Sequence, residues 1–567
     1  MKIFAVSLSL YVYLLYARLT RPFNTDDILK QLGPSLEKHK GCDIIDFSPG
    51  EGLWSRKLHQ LLQPRCHLLI EQDSHRYEQS WKTHVEEPGS KYKWCTIMRL
   101  EDVATYVKWD EMLTQRILPE LPTIADSTKS DKINNSILVL ANTSRVVKKS
   151  TSNRVALSAS PSEPILFYIL ENLRYRSGFQ SAGAVRVLLW TSQNDKYHVL
   201  PRNVVHRSRT DLNYQEAYFA QEIANDADFE AVSRRAPTQD VQSAYNTALR
   251  MKEHGITLPL ERRSKLHQAM LASIEAATSQ GDVPDIKREL DELRSLEVTY
   301  FRGDFARFAP HAPGEDKRFS KHTTQYARIL QLRANLNDLT GYNGKYADGD
   351  SYVSVSTALY NLYEYERNLR QKYPEGETLE LHTDEERANM KMLQDNVEKA
   401  WDSASGREFR RRKAVGILSD NDEAIRMDPP LLDWDRRQSE PLNCFDHEFD
   451  PPKALCLIDL QPLSNGYLLQ HGRSTARSGF VTLLLLYWGD TITRALNVVA
   501  HGAADALIPQ CPSLTDPAKG GHKHLNYVPI RLLTHEMFGE LEAAWNRWPF
   551  RISEEVLQAR IKGSSGR

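Results

Sequence analysis

Short apolar runs recur between longer mixed stretches through the first third of the chain. Residues 43–47 (DIIDF), 67–71 (HLLIE), 96–100 (TIMRL), 137–140 (ILVL) and 185–190 (VRVLLW) are strand-length, and the spacers between them are long enough for crossover helices. That order predicts an α/β fold, a parallel sheet with helices on both faces, whose ligands sit beyond the carboxyl ends of the strands. From about 250 to 425 the period changes. Ile286, Leu290 and Leu293, then Ile329, Leu332, Leu336 and Leu339, then Met390, Leu393, Val397 and Trp401 recur at three- and four-residue steps, which predicts an inserted helical bundle.

After 425 an apolar strand at 454–460 is framed by Pro451, Pro452 and Pro462. The apolar run 480–488 continues through Ile492, Leu496 and Val499, but Gly489, Asp490 and Arg494 interrupt it. It reads as a buried helix and not as a membrane span, which needs ~20 apolar residues. The predicted organisation is a leading segment (1–22), an α/β domain (23–250), a helical insertion (251–425) and a returning strand segment that completes the α/β domain (426–465). A mainly helical C-terminal domain (466–555) and a basic tail (556–567), mobile from 561, follow.

Composition adds bounds. The chain has 567 residues, 41% hydrophobic and 26% charged, as in ordinary globular proteins of several domains. Its net charge is −1, so nucleic-acid contacts must come from local basic patches. Residues 3–16 are apolar apart from Ser7 and Ser9, follow Lys2 and precede Arg18 and Arg21, with no acid before Asp26. An organelle-targeting segment, a buried first helix and a misassigned start all fit that pattern. The six cysteines, Cys42, Cys66, Cys95, Cys444, Cys456 and Cys511, form no C-x-x-C pair, which predicts reduced thiols and no metal site. That reading weakens Asn142-Thr143-Ser144 and Asn134-Asn135-Ser136 as glycosylation acceptors.

The chemistry-bearing stretch is DFSPGEGLWS, 46–55, between the first strand and the next helix. Gly50 and Gly52 permit close backbone approach, and the amides opening the helix face whatever lies there. Glu71 ends the second strand 19 residues after Gly52, where an acid can accept from ribose hydroxyls. Glu101 and Asp102 follow the third strand, where they can meet an adenine's amine, and Asn142 follows the fourth. Four polar markers at four strand ends line one cleft.

These markers resemble the S-adenosylmethionine-dependent rRNA adenine dimethyltransferase family. The sequence is more closely similar to that family's fungal mitochondrial transcription factor B branch, the specificity factors of mitochondrial RNA polymerase. The closer match rests on RPFNTDDIL (21–29), DFSPGEGLWSRKLHQLLQPRCHLLIEQD (46–73), VRVLLWTSQNDKYHVLPRNVVHRSR (185–209), EPLNCFDHEFDPPKALCLIDLQP (440–462), AHGAADALIP (500–509) and IRLLTHEMFGELEAAWNRWPF (530–550). The resemblance implies a Rossmann-like methyltransferase sheet. It assigns Gly50 and Gly52 to the methionine part of S-adenosyl-L-methionine, Glu71 to its ribose and Asp102 to its adenine. Asn142 becomes the first residue of the catalytic Asn-x-Pro-Tyr/Phe, but the chain continues Thr143-Ser144-Arg145, and Ser48 replaces the first glycine of the motif. Methylating an adenine amine needs oriented acceptors and an aromatic face for the base. Asn142 supplies one acceptor, while the proline and the ring are missing. A similar Asp-Pro-Pro loop, MDPPLLDW (427–434), has Leu431 in the aromatic position and reads as an ordinary turn.

Basic and aromatic residues interleave at Arg174, Tyr175, Arg176 and Phe179 and at Lys196, Tyr197, Arg202, His206, Arg207 and Arg209. The combination suits a phosphate-tracking groove with stacking platforms, and equally a solvated segment whose aromatics are core. Arg407, Arg410, Arg411, Arg412 and Lys413 are the densest basic run. The expectation is a mitochondrial matrix initiation factor that binds promoter DNA and mitochondrial RNA polymerase, with no membrane insertion. An active rRNA adenine N6-dimethyltransferase is the alternative, and a structural RNA-binding subunit a third.

Overall fold

The computed structural model describes residues 15–16, 18–19, 22–71, 74–95, 132–143, 145–146, 166, 169, 173, 178–180, 183–193, 195–226, 235–276, 285–301, 324–340, 349–373, 381, 383–404, 409–450, 454–464, 479–516, 519, 521–522 and 525–564. Eight strands form the main sheet: β1 Asp43–Phe47, β2 Cys66–Ile70, β3 Tyr92–Trp94, β4 Ile133–Asn142, β5 Ala184–Ser192, β6 Tyr218–Asp226, β7 Leu442–Cys444 and β8 Leu455–Pro462. Their order is β3-β2-β1-β4-β5-β8-β6-β7. Neighbours are parallel except β8, which runs antiparallel between β5 and β6. The chain is thus α/β with a mostly parallel sheet.

The strands are apolar on both faces because both are covered. Ile45, Phe47, Val139, Ala141, Val187 and Leu189 enter one core. Their alternating neighbours Ile44, Leu138, Leu140, Leu188 and Trp190 enter the other. Register places Phe47 beside Ile70 and Ala141, and Asn142 beside Trp190. Ser48, Glu71 and Asn142 therefore arrive together at the carboxyl edge. The strand expected at 96–100 lies outside the described residues; the third strand in the sheet is the shorter Tyr92–Trp94.

Helices of eight residues or more among the described residues begin with α1 Pro22–Leu36, α2 Leu53–Leu62 and α3 Ser74–Glu86. Across the expected boundary at 250 runs α4 Pro237–Glu253, followed by α5 Lys265–Ala276, α6 Ile286–Phe301, α7 Thr324–Thr340, α8 Gly349–Lys372, α9 Asp384–Ala404 and α10 Phe409–Arg426. The insertion's periodic residues meet as read: Ile286, Leu290, Leu293, Ile329, Leu332 and Leu336 share one core, with Leu339 at its margin. Met390 and Val397 share another with Val355 and Leu362, with Leu393 and Trp401 at its edge.

The C-terminal part holds α11 Gly479–Leu486, α12 Ile492–Val499, α13 His535–Arg547 and α14 Glu554–Ser564 around its own core. Two expectations change here. The long apolar segment is two helices, because the interrupting residues 487–491 turn the chain between α11 and α12. The tail is helical through Ser564, because Leu557 buries itself in the C-terminal core. No described helix is long and apolar enough to cross a membrane.

Candidate functional site

The loop after β1 turns by left-handed backbone: φ is 59° at Ser48, 62° at Gly50 and 80° at Gly52. Glycine adopts that conformation at no steric cost, whereas a serine pays on the order of 1–2 kcal/mol. Ser48 thus keeps the backbone turn of the glycine it replaces in the family motif. The loop is tied down by its own surroundings. Ser48 N donates to the Ile70 carbonyl at 2.8 Å, and Gly50 N donates to Glu71 Oε2 at 2.9 Å. Trp81 Nε1 donates to the Gly50 carbonyl at 2.6 Å. A Cβ on Gly52 would lie 2.1 Å from Trp81 Cζ2, so this glycine lets an indole from α3 pack under the start of α2.

Behind the loop, His67 Nε2 lies 3.2 Å from Asp46 Oδ2, and His67 Nδ1 lies 3.1 Å from His59 Nδ1. His59 stacks on Tyr92 at 4.0 Å between ring centres. Burial, then the nearby imidazoles of His67 and His84, lower the pKa of His59 to about 4. The His59 ring is neutral at physiological pH, and the row of rings supports the loop from the sheet side.

In front of the loop, a cavity is lined by Ser48, Gly52, Trp54, Asn142, Trp190 and Phe449 among others. Trp54 and Trp190 meet edge to face at 6.3 Å, and Trp190 and Phe449 at 5.6 Å. These three aromatics were not singled out from sequence. Trp54 stands inside the quoted motif and Trp190 ends the fifth apolar run, but only the sheet brings Phe449 to them. Ser48 Oγ, Trp54 Nε1 and Trp190 Nε1 are buried without a hydrogen-bond partner, so the lining is polar enough for a small acceptor-bearing group. The volume is about 40 Å³, far below the ~300 Å³ at which ligand pockets begin. Glu71, the residue the family reading gives to the ribose, is buried and already accepts the Gly50 amide. With Glu71 so engaged, the described part of the cavity is too small to hold S-adenosyl-L-methionine whole. Asp102 lies outside the described residues.

Asn142 is the last residue of β4 and lines the cavity. The segment after it is folded back into structure. Thr143 donates from both its amide, at 2.8 Å, and its hydroxyl, at 3.2 Å, to the Trp190 carbonyl. Arg145 and Val146 pair antiparallel with Tyr16 and Leu15. The loop at 427–434 is elsewhere: Leu431 and Leu432 enter the C-terminal core, and none of its residues lines this cavity.

The expected nucleic-acid residues divide. Lys196 is buried, with its ammonium 2.8 Å from Glu222 Oε1, and Arg202 reaches Glu222 Oε2 at 2.8 Å. The Arg202 guanidinium also lies over the Trp434 ring at 3.6 Å. Burial pushes Glu222 up, and the two cations more than offset it, leaving its carboxyl below the usual range. Arg207 is buried too, donating to the carbonyls of Arg531 at 2.6 Å and Leu533 at 2.8 Å. Burial lowers its pKa to about 10, against the opposing pull of Asp211. Lys196, Arg202 and Arg207 are therefore internal ties and not a phosphate-tracking surface: a buried cation must be paired, and these are paired at home. Arg174, Arg176 and Arg407 lie outside the described residues, Arg209 opens the short helix Arg209–Gln215, and 410–413 lie in the first turns of α10.

All six cysteines are buried and unpaired, and among the described residues no group of three His, Cys, Asp or Glu could hold a metal ion. No family model matches the chain, and no curated protein matches it.

Proposed function

We propose that this chain is a mitochondrial transcription initiation factor, a methyltransferase-like scaffold that joins mitochondrial RNA polymerase to promoter DNA without turning over a methyl donor. The eight-stranded, mostly parallel sheet supports the scaffold, being compatible with a Rossmann-like fold. The observation that carries the non-catalytic reading is the fate of the segment after Asn142. An adenine methyltransferase needs an open loop there with an acceptor and a stacking face. Here Thr143 gives both its donors to the Trp190 carbonyl, and the next residues are zipped to Leu15–Tyr16. Promoter contact then falls to Arg174, Arg176, Arg209 and the 407–413 run, because Lys196, Arg202 and Arg207 are spent internally.

One observation favours the alternative, an active rRNA adenine N6-dimethyltransferase: Trp190 sits beside Asn142 in register, an aromatic ring at the right place. Yet Trp190 is 95% buried between Trp54 and Phe449 and offers no free face. The test is promoter-dependent run-off transcription with the cognate mitochondrial polymerase, run beside methyl transfer to small-subunit rRNA. Stimulated run-off, undiminished in Asn142→Ala, supports the proposal. Methyl transfer abolished by Asn142→Ala, with no run-off stimulation, would overturn it.

A further inference from the structure

A second cavity, of about 260 Å³, opens among α4, α6 and α10 and is lined by Gln242 and Asn246 of α4, Arg294 of α6 and Asp422, Ile425 and Arg426 of α10. Its hydrogen bonding is one-sided. Arg294 Nη1 donates to Gln242 Oε1 at 2.8 Å, and Gln242 Nε2 donates to Asn246 Oδ1 at 2.9 Å. This relay occupies one lone pair on each amide oxygen of the lining. It leaves the Asn246 amide nitrogen and the remaining guanidinium N–H groups of Arg294 as donors on the wall.

The carboxylate of Asp422 is held by Arg426 at 2.8 Å. The carbonyls that the end of α10 would otherwise expose are also spent: Met427 N bonds the Glu423 carbonyl at 3.0 Å and Leu431 N the Ala424 carbonyl at 2.8 Å. Two guanidiniums stand against one carboxylate, so the lining is net positive as well as donor-rich. A net-positive wall with donors to spare is complementary to an acceptor-rich anion, and Arg with its planar fork suits a phosphoryl group. The volume is more than an inorganic oxyanion needs.

We infer that this cavity binds a small phosphomonoester, its phosphoryl group on Arg294 and Asn246 and its organic part in the remaining space. The site is some distance in sequence from the cavity at Asn142 and shares no lining residue with it, so the inference does not depend on the proposed function.

The test is isothermal titration of the full chain with glycerol 3-phosphate and, separately, with inorganic phosphate, at an ionic strength fixed with chloride. Saturable binding, tighter for the ester, is expected. Arg294→Met should weaken it at least tenfold, and Asn246→Asp, which sets a carboxylate where a donor stood, should abolish it. Arg294→Lys, which keeps the charge and loses the fork, should retain weaker binding, and circular dichroism checks that each variant is folded. No saturable heat with the ester, or ester binding that folded Arg294→Met and Asn246→Asp both leave unchanged, would sink the inference. Binding of inorganic phosphate alone would overturn the assignment to a phosphomonoester.

Discussion

Arg186 and Asp459 form a two-point ion pair across β5 and β8, Nε to Oδ1 at 2.8 Å and Nη2 to Oδ2 at 2.6 Å, with both side chains sealed from solvent. The residues are 273 apart in sequence, so the pair fixes the strand that returns after the helical insertion. Arg186 also donates to the Ser35 carbonyl and hydroxyl at the end of α1, at 2.8 and 2.7 Å. Breaking such a pair strands a buried charge, at a cost of about 3–5 kcal/mol. Asp459→Ala should destabilise the α/β domain by that amount in denaturant titrations followed by tryptophan fluorescence. Replacing both partners, Arg186→Met with Asp459→Leu, should recover most of the loss, since no charge is then left unpaired.

Gly52 is a glycine that the structure cannot exchange. A methyl there meets Trp81 at 2.1 Å, and φ is 80°. Overpacking and left-handed strain each cost on the order of 1–3 kcal/mol, so Gly52→Ala should lose ~2–4 kcal/mol in the same titration. Adding Trp81→Leu should relieve part of it. A Gly52→Ala protein as stable as the wild type would mean that the indole does not pack beneath the loop.

What sequence could reveal here follows from the range of the forces involved. Alternation and apolar run length are local, so β1, β2, β4 and β5 and the insertion helices were legible, as was Asn142 at the end of its strand. Burial of a charge is not local. The run from Lys196 to Arg207 reads as a basic groove because its partners, Glu222, Arg531 and Leu533, are distant in sequence and carry no motif. Phe449 was invisible as a site residue for the same reason: the pairing of Phe449 with Leu19 and its packing on Trp190 are tertiary facts. The split of the long apolar segment into α11 and α12 was half legible, since two of the residues that argued against a membrane span, Gly489 and Asp490, are at the turn while Arg494 lies within α12.

The internal role of Lys196 separates stability from nucleic-acid affinity. Glu222→Gln should destabilise by about 3–5 kcal/mol, because Lys196 and Arg202 then lose their buried counter-charge. A conservative Arg209→Gln variant should instead fold normally. If Arg209 contacts phosphate, it should lower the salt slope of promoter binding by about one. Denaturant titration reads the first effect and fluorescence anisotropy across a salt series the second. An unchanged slope in Arg209→Gln would remove that residue from the promoter surface.

His39 gives the fold a pH dependence with a definite sign. Its ring is buried, with Nδ1 2.9 Å from the Asn135 carbonyl, and Nε2 has no partner. Burial first, then the Arg186 guanidinium, lower its pKa from 6.5 to about 4, more than the Asn135 carbonyl can restore. Between those values the unfolded chain takes up a proton that the folded one refuses, so stability rises with pH across that window. The contribution is fully present above 6.5 and is lost as pH falls towards 4. With one pKa unit worth 1.36 kcal/mol, the loss is ~3 kcal/mol. Glutamine at this position does not titrate and keeps a donor for the Asn135 carbonyl. Denaturant titrations of wild type and His39→Gln at a series of pH values should therefore diverge above pH 6.5 and below pH 4 by amounts that differ by that loss, with the wild type the steeper. Parallel pH profiles for the two proteins would mean that His39 takes up its proton at the same pH in the fold as in the unfolded chain.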